Sequence, residues 1–175
     1  MSEHSPNQIK IGILSDTHIP SRGPHIPEQI IDDFKKRKVD YVFHLGDFTN
    51  IDVYKKLIET FGKDKFFGIS GNMDGHDINK LLPETREIEL MGYNIFLTHG
   101  SGGPKGIIQR LNKNYNLTGY DIVIFGHIHH PINEEHNGIL YLNPGTPTDK
   151  RFTDVNSYGI LTLTKENIEF QIIEI

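Results

Sequence analysis

Lys10-Ile11-Gly12-Ile13-Leu14-Ser15 runs directly into Asp16-Thr17-His18. A short apolar run bounded by glycine and polar residues reads as a buried strand. Its carboxyl end here delivers a carboxylate and an imidazole two positions apart. The pattern recurs. Tyr41-Val42-Phe43-His44-Leu45 ends in Gly46-Asp47, and Phe66-Phe67-Gly68-Ile69-Ser70 ends in Gly71-Asn72. Asn94-Ile95-Phe96-Leu97-Thr98 ends in His99-Gly100, and Ile122-Val123-Ile124-Phe125 ends in Gly126-His127-Ile128-His129. In sheets covered by helices, sites form just beyond the carboxyl ends of the strands. Asp16, His18, Asp47, Asn72, His99, His127 and His129 are therefore expected along one edge of one sheet, as a metal site and in all a two-metal one.

The residue types fit that chemistry. Asp47 is suited to bridge two cations, because a carboxylate has two oxygens and Gly46 beside it lets the backbone turn sharply. Asn72 can bind a cation through its amide oxygen while its NH2 group donates to a phosphate oxygen. The i, i+2 imidazoles of His127 and His129 can reach two neighbouring ions; His130 is read as outside the ligand set. Any one motif alone is weaker than a turn aspartate or a core histidine, and it is their order at five consecutive strand ends that makes the metal reading.

Composition narrows the field. The chain has 175 residues, enough for one domain with a sizeable core. There is no cysteine among them, which excludes thiolate ligands and Cys nucleophiles and leaves nitrogen and oxygen donors suited to Mn, Fe, Co, Ni or Zn. A net charge of -5 argues against a broad surface for long nucleic acid. No apolar run approaches the ~20 residues that span a bilayer. The polar start, residues 1–8, lacks an apolar signal core and is read as a tail, which favours a cytoplasmic location.

Strand and helix patterns alternate in the first half. Pro27 to Lys38 has proline in its first turn, acids early and bases late, the polarity that a helix dipole favours. The run Lys35 to Lys38 is accordingly a solvated helix end rather than a nucleic-acid patch. A second helix is expected from Ile51 to Phe61, capped by Asn50 and closed by Gly62. A short piece follows from Asp77 to Leu82, and a third main helix from Gly106 to Asn112. From Arg86 the pattern turns to hairpins, with Met91-Gly92 as a tight turn, a strand from Gly138 to Leu142, and a closing hairpin around Lys165-Glu166-Asn167. An α/β (α+β) fold follows, with one mixed sheet or two stacked sheets and helices outside.

Two other phosphate-binding patterns fail. Gly100 to Gly106 lacks the Gly-Lys-[Ser/Thr] ending of a P-loop, and Pro104 removes a backbone donor. The first strand lacks the glycine fingerprint of dinucleotide binding. The loop after His99 either presents amides to a substrate phosphate or is a plain connector.

The order Asp16-Thr17-His18, Gly46-Asp47, Gly71-Asn72, His99, Gly126-His127-Ile128-His129 resembles the calcineurin-like metallophosphoesterase superfamily, over residues 9 to about 147. The small size, Gly71-Asn72-Met73-Asp74 and Asn143-Pro144-Gly145-Thr146-Pro147 are most similar to its compact YfcE-like phosphodiesterase branch. The resemblance implies a four-layer α-β-β-α sandwich in which two packed mixed sheets are flanked by helices, so that residues 9–175 form a single metallophosphoesterase domain. It implies two divalent ions: Asp16, His18 and His129 on the first, Asp47 bridging, and Asn72, His99 and His127 completing the second. Water activated between the ions would attack phosphorus in line, with Asn72 helping to offset charge on the phosphoryl oxygens. One departure is Met73, where many relatives have a histidine near the leaving group; a thioether supplies no proton, and Asp74 or His76 is the candidate substitute, set against the plainer readings of a turn acid and a surface histidine.

The expected activity is metal-dependent hydrolysis of small phosphodiesters, with no membrane partner. A nuclease or phosphomonoesterase on the same centre is one alternative, and a non-enzymatic protein-binding scaffold, like the retromer subunit that resembles this fold, is another. Apolar residues near the hairpins leave a homodimer open.

Overall fold

A computed structural model of the protein describes residues 7–175. Residues 1–6 of the expected tail lie outside the described residues, while Gln8 already pairs with Thr164 as the first residue of a strand. The elements run β1 (Gln8–Leu14), α1 (Glu28–Arg37), β2 (Tyr41–His44), α2 (Ile51–Phe61), β3 (Phe66–Gly68), α3 (His76–Leu81), β4 (Thr85–Leu90) and β5 (Tyr93–Thr98). They continue with α4 (Ile107–Asn114), β6 (Ile122–Phe125), β7 (Pro131–His136), β8 (Ile139–Pro144), β9 (Ser157–Thr164) and β10 (Ile168–Glu174). Two five-stranded sheets result, ordered β10-β9-β1-β2-β3 and β4-β5-β6-β8-β7. Within them β1, β2 and β3 are parallel neighbours, as are β5, β6 and β8, and the remaining pairings are antiparallel.

Side-chain alternation along the strands builds the layers. Ile11 and Ile13 of β1 point inward with Phe43, Ile95, Ile122, Ile124 and Leu161, forming the apolar seam between the sheets. The opposite face of the first sheet packs Leu14, Val42 and Phe66 against Ile30 and Phe34 of α1 and Val53 and Leu57 of α2. Gly12 lies on that outer face because a Cβ there would sit 2.6 Å from the Phe34 ring. On the second sheet Phe96, Val123, Phe125 and Tyr141 pack against Ile107, Ile108 and Leu111 of α4. The order is helix, sheet, sheet, helix, as the family resemblance implies.

Local chemistry explains the helix ends. Asn50 Oδ1 accepts the Asp52 N–H at 2.8 Å, and Gly62 closes α2 at φ 97°. Helix α1 carries Glu28 in its first turn and Lys35, Lys36 and Arg37 in its last.

The departures from the sequence reading are specific. Strand β3 stops at Gly68, short of Ser70, and β8 runs on to Pro144. Helix α4 starts at Ile107 because Gly106, at φ 77°, is its cap, and it continues to Asn114. β7 was not expected from the sequence at all. It pairs antiparallel with β8 at the sheet edge, and its Asn133-Glu134-Glu135 is exposed. Pro131 at its start and charges on its outside are what an edge strand tolerates. Lacking an apolar face, it gives no period-2 signal.

Candidate metal centre

The seven expected ligands converge, but from two sheets rather than one. Asp16 and His18 follow β1, Asp47 follows β2 and Asn72 follows β3 of the first sheet, whereas His99 follows β5 and His127 and His129 follow β6 of the second. Both sets of parallel strands end at the same rim. Among the described residues, five of the nine non-glycine residues at positive φ are Asp16, His18, Asp47, His127 and His129. This backbone is sparsely populated for such residues and clusters at functional sites. It is held by tight approach: a Cβ on Gly71 would strike the Asp47 carboxylate, and one on Gly126 would strike Ser15 Oγ and lie 2.8 Å from Asp16 Oδ2.

Asp16 is fully buried. Its Oδ2 accepts from the Ser15 hydroxyl at 2.5 Å and the His127 N–H at 2.9 Å. Its Oδ1 has no hydrogen-bond partner among the described residues and faces His129 Nε2 at 3.3 Å and both His18 and His99 Nε2 at 3.8 Å. Asp47 is divided in the same way. Oδ1 accepts the Met73 N–H at 2.8 Å, while Oδ2 lies 3.4 Å from His18 Nε2 and 3.2 Å from His99 Nε2. Two candidate ligand groups emerge, Asp16-His18-His129 and Asp16-Asp47-His99. Asn72 Oδ1 and His99 Nε2 lie 3.0 and 3.3 Å from His127 Nδ1, which extends the second group. A buried carboxylate oxygen without a partner, ringed by imidazole nitrogens, is a donor set that fits divalent cations.

The outer atoms fix these ligands. His99 Nδ1 lies 2.5 Å from the Leu45 carbonyl, which directs its Nε2 inward. His129 Nδ1 lies 2.7 Å from buried Asp149, the carboxylate–histidine pairing that orients metal ligands. Thr146 and Thr148 hydroxyls donate to the carbonyls of Asp16 and Thr17, each at 2.7 Å. His44 stacks on Phe48 at 3.6 Å and takes the Gly46 N–H on Nδ1, so its Nε2–H is left for Thr17 Oγ1 at 3.1 Å. The sequence reading missed Asp149 and His44 as supports. Asp149 lies on a loop with no strand-end signature, and His44 sits inside an apolar run.

Asp74 is placed differently from a proton donor. It is buried, and its two oxygens accept N–H bonds from Asp47 and Gly71 (Oδ2) and from Thr49 (Oδ1), at 2.8 to 2.9 Å. Met73 and His76 are exposed. The loop after His99 is gathered by Arg110, whose guanidinium donates to the carbonyls of Ser101, Gly103 and Lys105.

Burial and charge act together on the acids and imidazoles. Burial would push the Asp16 carboxyl up, but the charge of His99 and contact with His129 hold it at about 2. Burial would push His99 down, yet Asp16 and Asp47 carry it up to about 9. Burial lowers His18 and His127 and takes His44 to about 3, while for His129 the close contact and charge of Asp16 override burial and raise it. Asp74 is raised by burial.

Residues 9–166 match the family described as the calcineurin-like phosphoesterase superfamily domain. The chain is 37% identical to a probable metallophosphoesterase of Methanothermobacter thermautotrophicus, over 93% of this chain and 91% of that one. A solved archaeal phosphodiesterase superposes with a TM-score of 0.74 at 30% identity, covering 95% of this chain and 100% of the other. Vacuolar protein sorting 29 of Cryptosporidium parvum shares the fold, with a TM-score of 0.76 at 19% identity over 97% and 98% of the two chains.

Proposed function

The chain belongs to the calcineurin-like phosphoesterase superfamily, and from that premise we propose that it is a cytoplasmic metal-dependent phosphodiesterase acting on small diesters at a two-ion centre. Asp16, His18 and His129 would hold one divalent cation, and Asn72, His99 and His127 the other, with Asp47 available to both. Mn, Fe, Co, Ni and Zn all suit this mixed imidazole and carboxylate set. When bound, the ions supply Lewis acidity, acidifying water for attack and offsetting charge on the phosphoryl oxygens.

The chain's own residues do the rest. Asp16 and Asp47 stay ionised near neutral pH, since both carboxyls are held below their ordinary value. Asp149 and the Leu45 carbonyl set the orientations of His129 and His99. The Asn72 side chain is exposed beside His127, where its amide can meet a phosphoryl oxygen. Asp74 acts as a bracket that holds the Asp47 and Gly71 loops together. No side-chain nucleophile is required.

The single observation that carries this reading is the unpartnered Asp16 Oδ1 at the meeting point of His18, His99 and His129. The test is to strip the protein with chelator and assay an activated aryl phosphodiester with Mn²⁺, Co²⁺, Ni²⁺, Zn²⁺ or Mg²⁺ restored, beside Asp47→Asn. Metal-restored turnover that Asp47→Asn abolishes supports the proposal. A folded, metal-loaded protein without turnover would favour a binding scaffold instead.

A further inference from the structure

Two clefts meet at Asn72. One, of about 400 Å³, holds His18, Asp47, His127 and His129 on its floor and carries Met73 and Phe152 on its walls. The other, of about 300 Å³, runs from Asn72 past His99 along polar residues such as Ser70, Asn79, Glu84 and Tyr115. A phosphodiester has two organic arms that diverge from one phosphorus, and a centre flanked by two clefts of unlike chemistry has a place for each.

The walls of the first cleft are unusual for an exposed surface. Met73 and Phe152, at 60% and 62% exposed, are the two most exposed large apolar side chains among the described residues. Exposed apolar groups gathered beside convergent polar ones mark ligand-binding surfaces. Phe152 is also built onto the centre. Its ring packs edge-on with His129 at 5.4 Å and 81°. Its loop is anchored just upstream, where the Arg151 N–H donates to the same Asp149 that orients His129. Met73 is anchored on the other side, through its N–H to Asp47. Both apolar groups are thus fixed to ligand residues while their surfaces stay open. A planar ring meets an aromatic edge or face and a polarizable thioether favourably.

We infer that Met73 and Phe152 form a subsite for a planar aromatic arm of the substrate diester, the second arm lying in the polar cleft beyond Asn72. This rests on the phosphodiesterase reading and specifies the substrate class: unsymmetrical diesters with one aryl or heteroaryl arm. Phe152 is a specificity residue, with no part in activating the nucleophile.

Binding of unreactive analogues to the metal-loaded protein tests it. Calorimetric Kd values for methyl phenylphosphonate and methyl methylphosphonate are compared in the parent protein, Phe152→Ala and Phe152→Tyr. The phenyl analogue is expected to bind roughly three- to tenfold more tightly, the range of an aromatic pair. Phe152→Ala should bring the ratio close to one and Phe152→Tyr should preserve it. Equal Kd values in the parent protein, or a ratio that survives Phe152→Ala, would overturn the inference. Turnover of bis(4-nitrophenyl) phosphate by the same samples keeps the two claims apart. A preserved ratio without turnover counts against the hydrolytic reading alone, and turnover with equal Kd values counts against the subsite alone.

Discussion

The carboxylate of Asp149 lies 2.7 Å from Nδ1 of His129, on the far side of the ring from the metal-facing Nε2. Its other oxygen accepts the Arg151 N–H at 2.8 Å and lies 3.4 Å from Arg22 Nε. A carboxylate at this ion-pairing distance favours one orientation of the imidazole, and such partners are worth about 10–100-fold in metal affinity or activity.

Asp149→Ala is therefore expected to weaken divalent-cation binding by about 10–100-fold. The Asn156 amide donates to the Asp149 main-chain carbonyl, so the loop keeps that tie in the variant. Metal titration by calorimetry reads the effect directly, and an unchanged affinity would show that Asp149 does not orient His129.

The metal-free protein should show two opposed pH effects. His99 is raised from 6.5 to about 9 in the fold, so its stabilising contribution is complete below about 6.5 and lost as pH rises through about 9. Asp16 is lowered from 3.8 to about 2, so its contribution is present above 3.8 and lost as pH falls through about 2. Thermal melts of chelated protein should therefore decline from pH 6.5 to 9, and His99→Gln should flatten that limb. A cation must displace the His99 proton, so loading near pH 7 should release protons and tighten as pH rises. A pH-stat that records no release on loading would contradict this.

Gly126→Ala places a methyl group against Ser15 Oγ, 2.8 Å from Asp16 Oδ2 and 3.0 Å from the Leu45 carbonyl. Those neighbours are backbone or buried groups with little room to retreat. Destabilisation of about 1–3 kcal/mol is expected, together with weaker metal binding, because the displaced atoms hold Asp16. Denaturant unfolding and metal titration measure the two effects, and a variant that binds metal normally would mean that Asp16 tolerates the shift.

Neither Met73 nor Asp74 is arranged to protonate a departing oxygen, the first for lack of a proton and the second because backbone N–H groups occupy both of its oxygens. Rates should accordingly fall steeply as the leaving-group pKa rises across a diester series, and Met73→His should make that slope shallower. Equal rates across the series would contradict this. Asp74→Ala should instead cost stability, on the order of 3 kcal/mol for the lost bonds to a charged group, while leaving the slope as it was.

Much of this molecule was legible because β1, β2, β3, β5 and β6 are short apolar runs, each followed within a few residues by a side chain of the candidate centre. Asp16, Asp47, Asn72, His99 and His127 are all found that way. The partition of strands between sheets was not legible. Apolar runs buried on both faces look alike whichever neighbour they pair with, so β1 and β6 gave no hint that they belong to different sheets. β7 was hidden by its exposed acids, and Asp149 by the absence of periodicity in its loop. Asp74 has the sequence position of an acid beside the reaction, and only its three N–H bonds reveal a bracket.

Because Asp16 and Asp47 come from one sheet and His99 and His127 from the other, neither half of the sandwich owns a complete centre. During refolding, then, hydrolytic competence can appear only after the two halves have docked in register. A cation held by residues of both sheets would reward that docking and no earlier stage, so it should slow undocking more than it hastens the formation of either sheet.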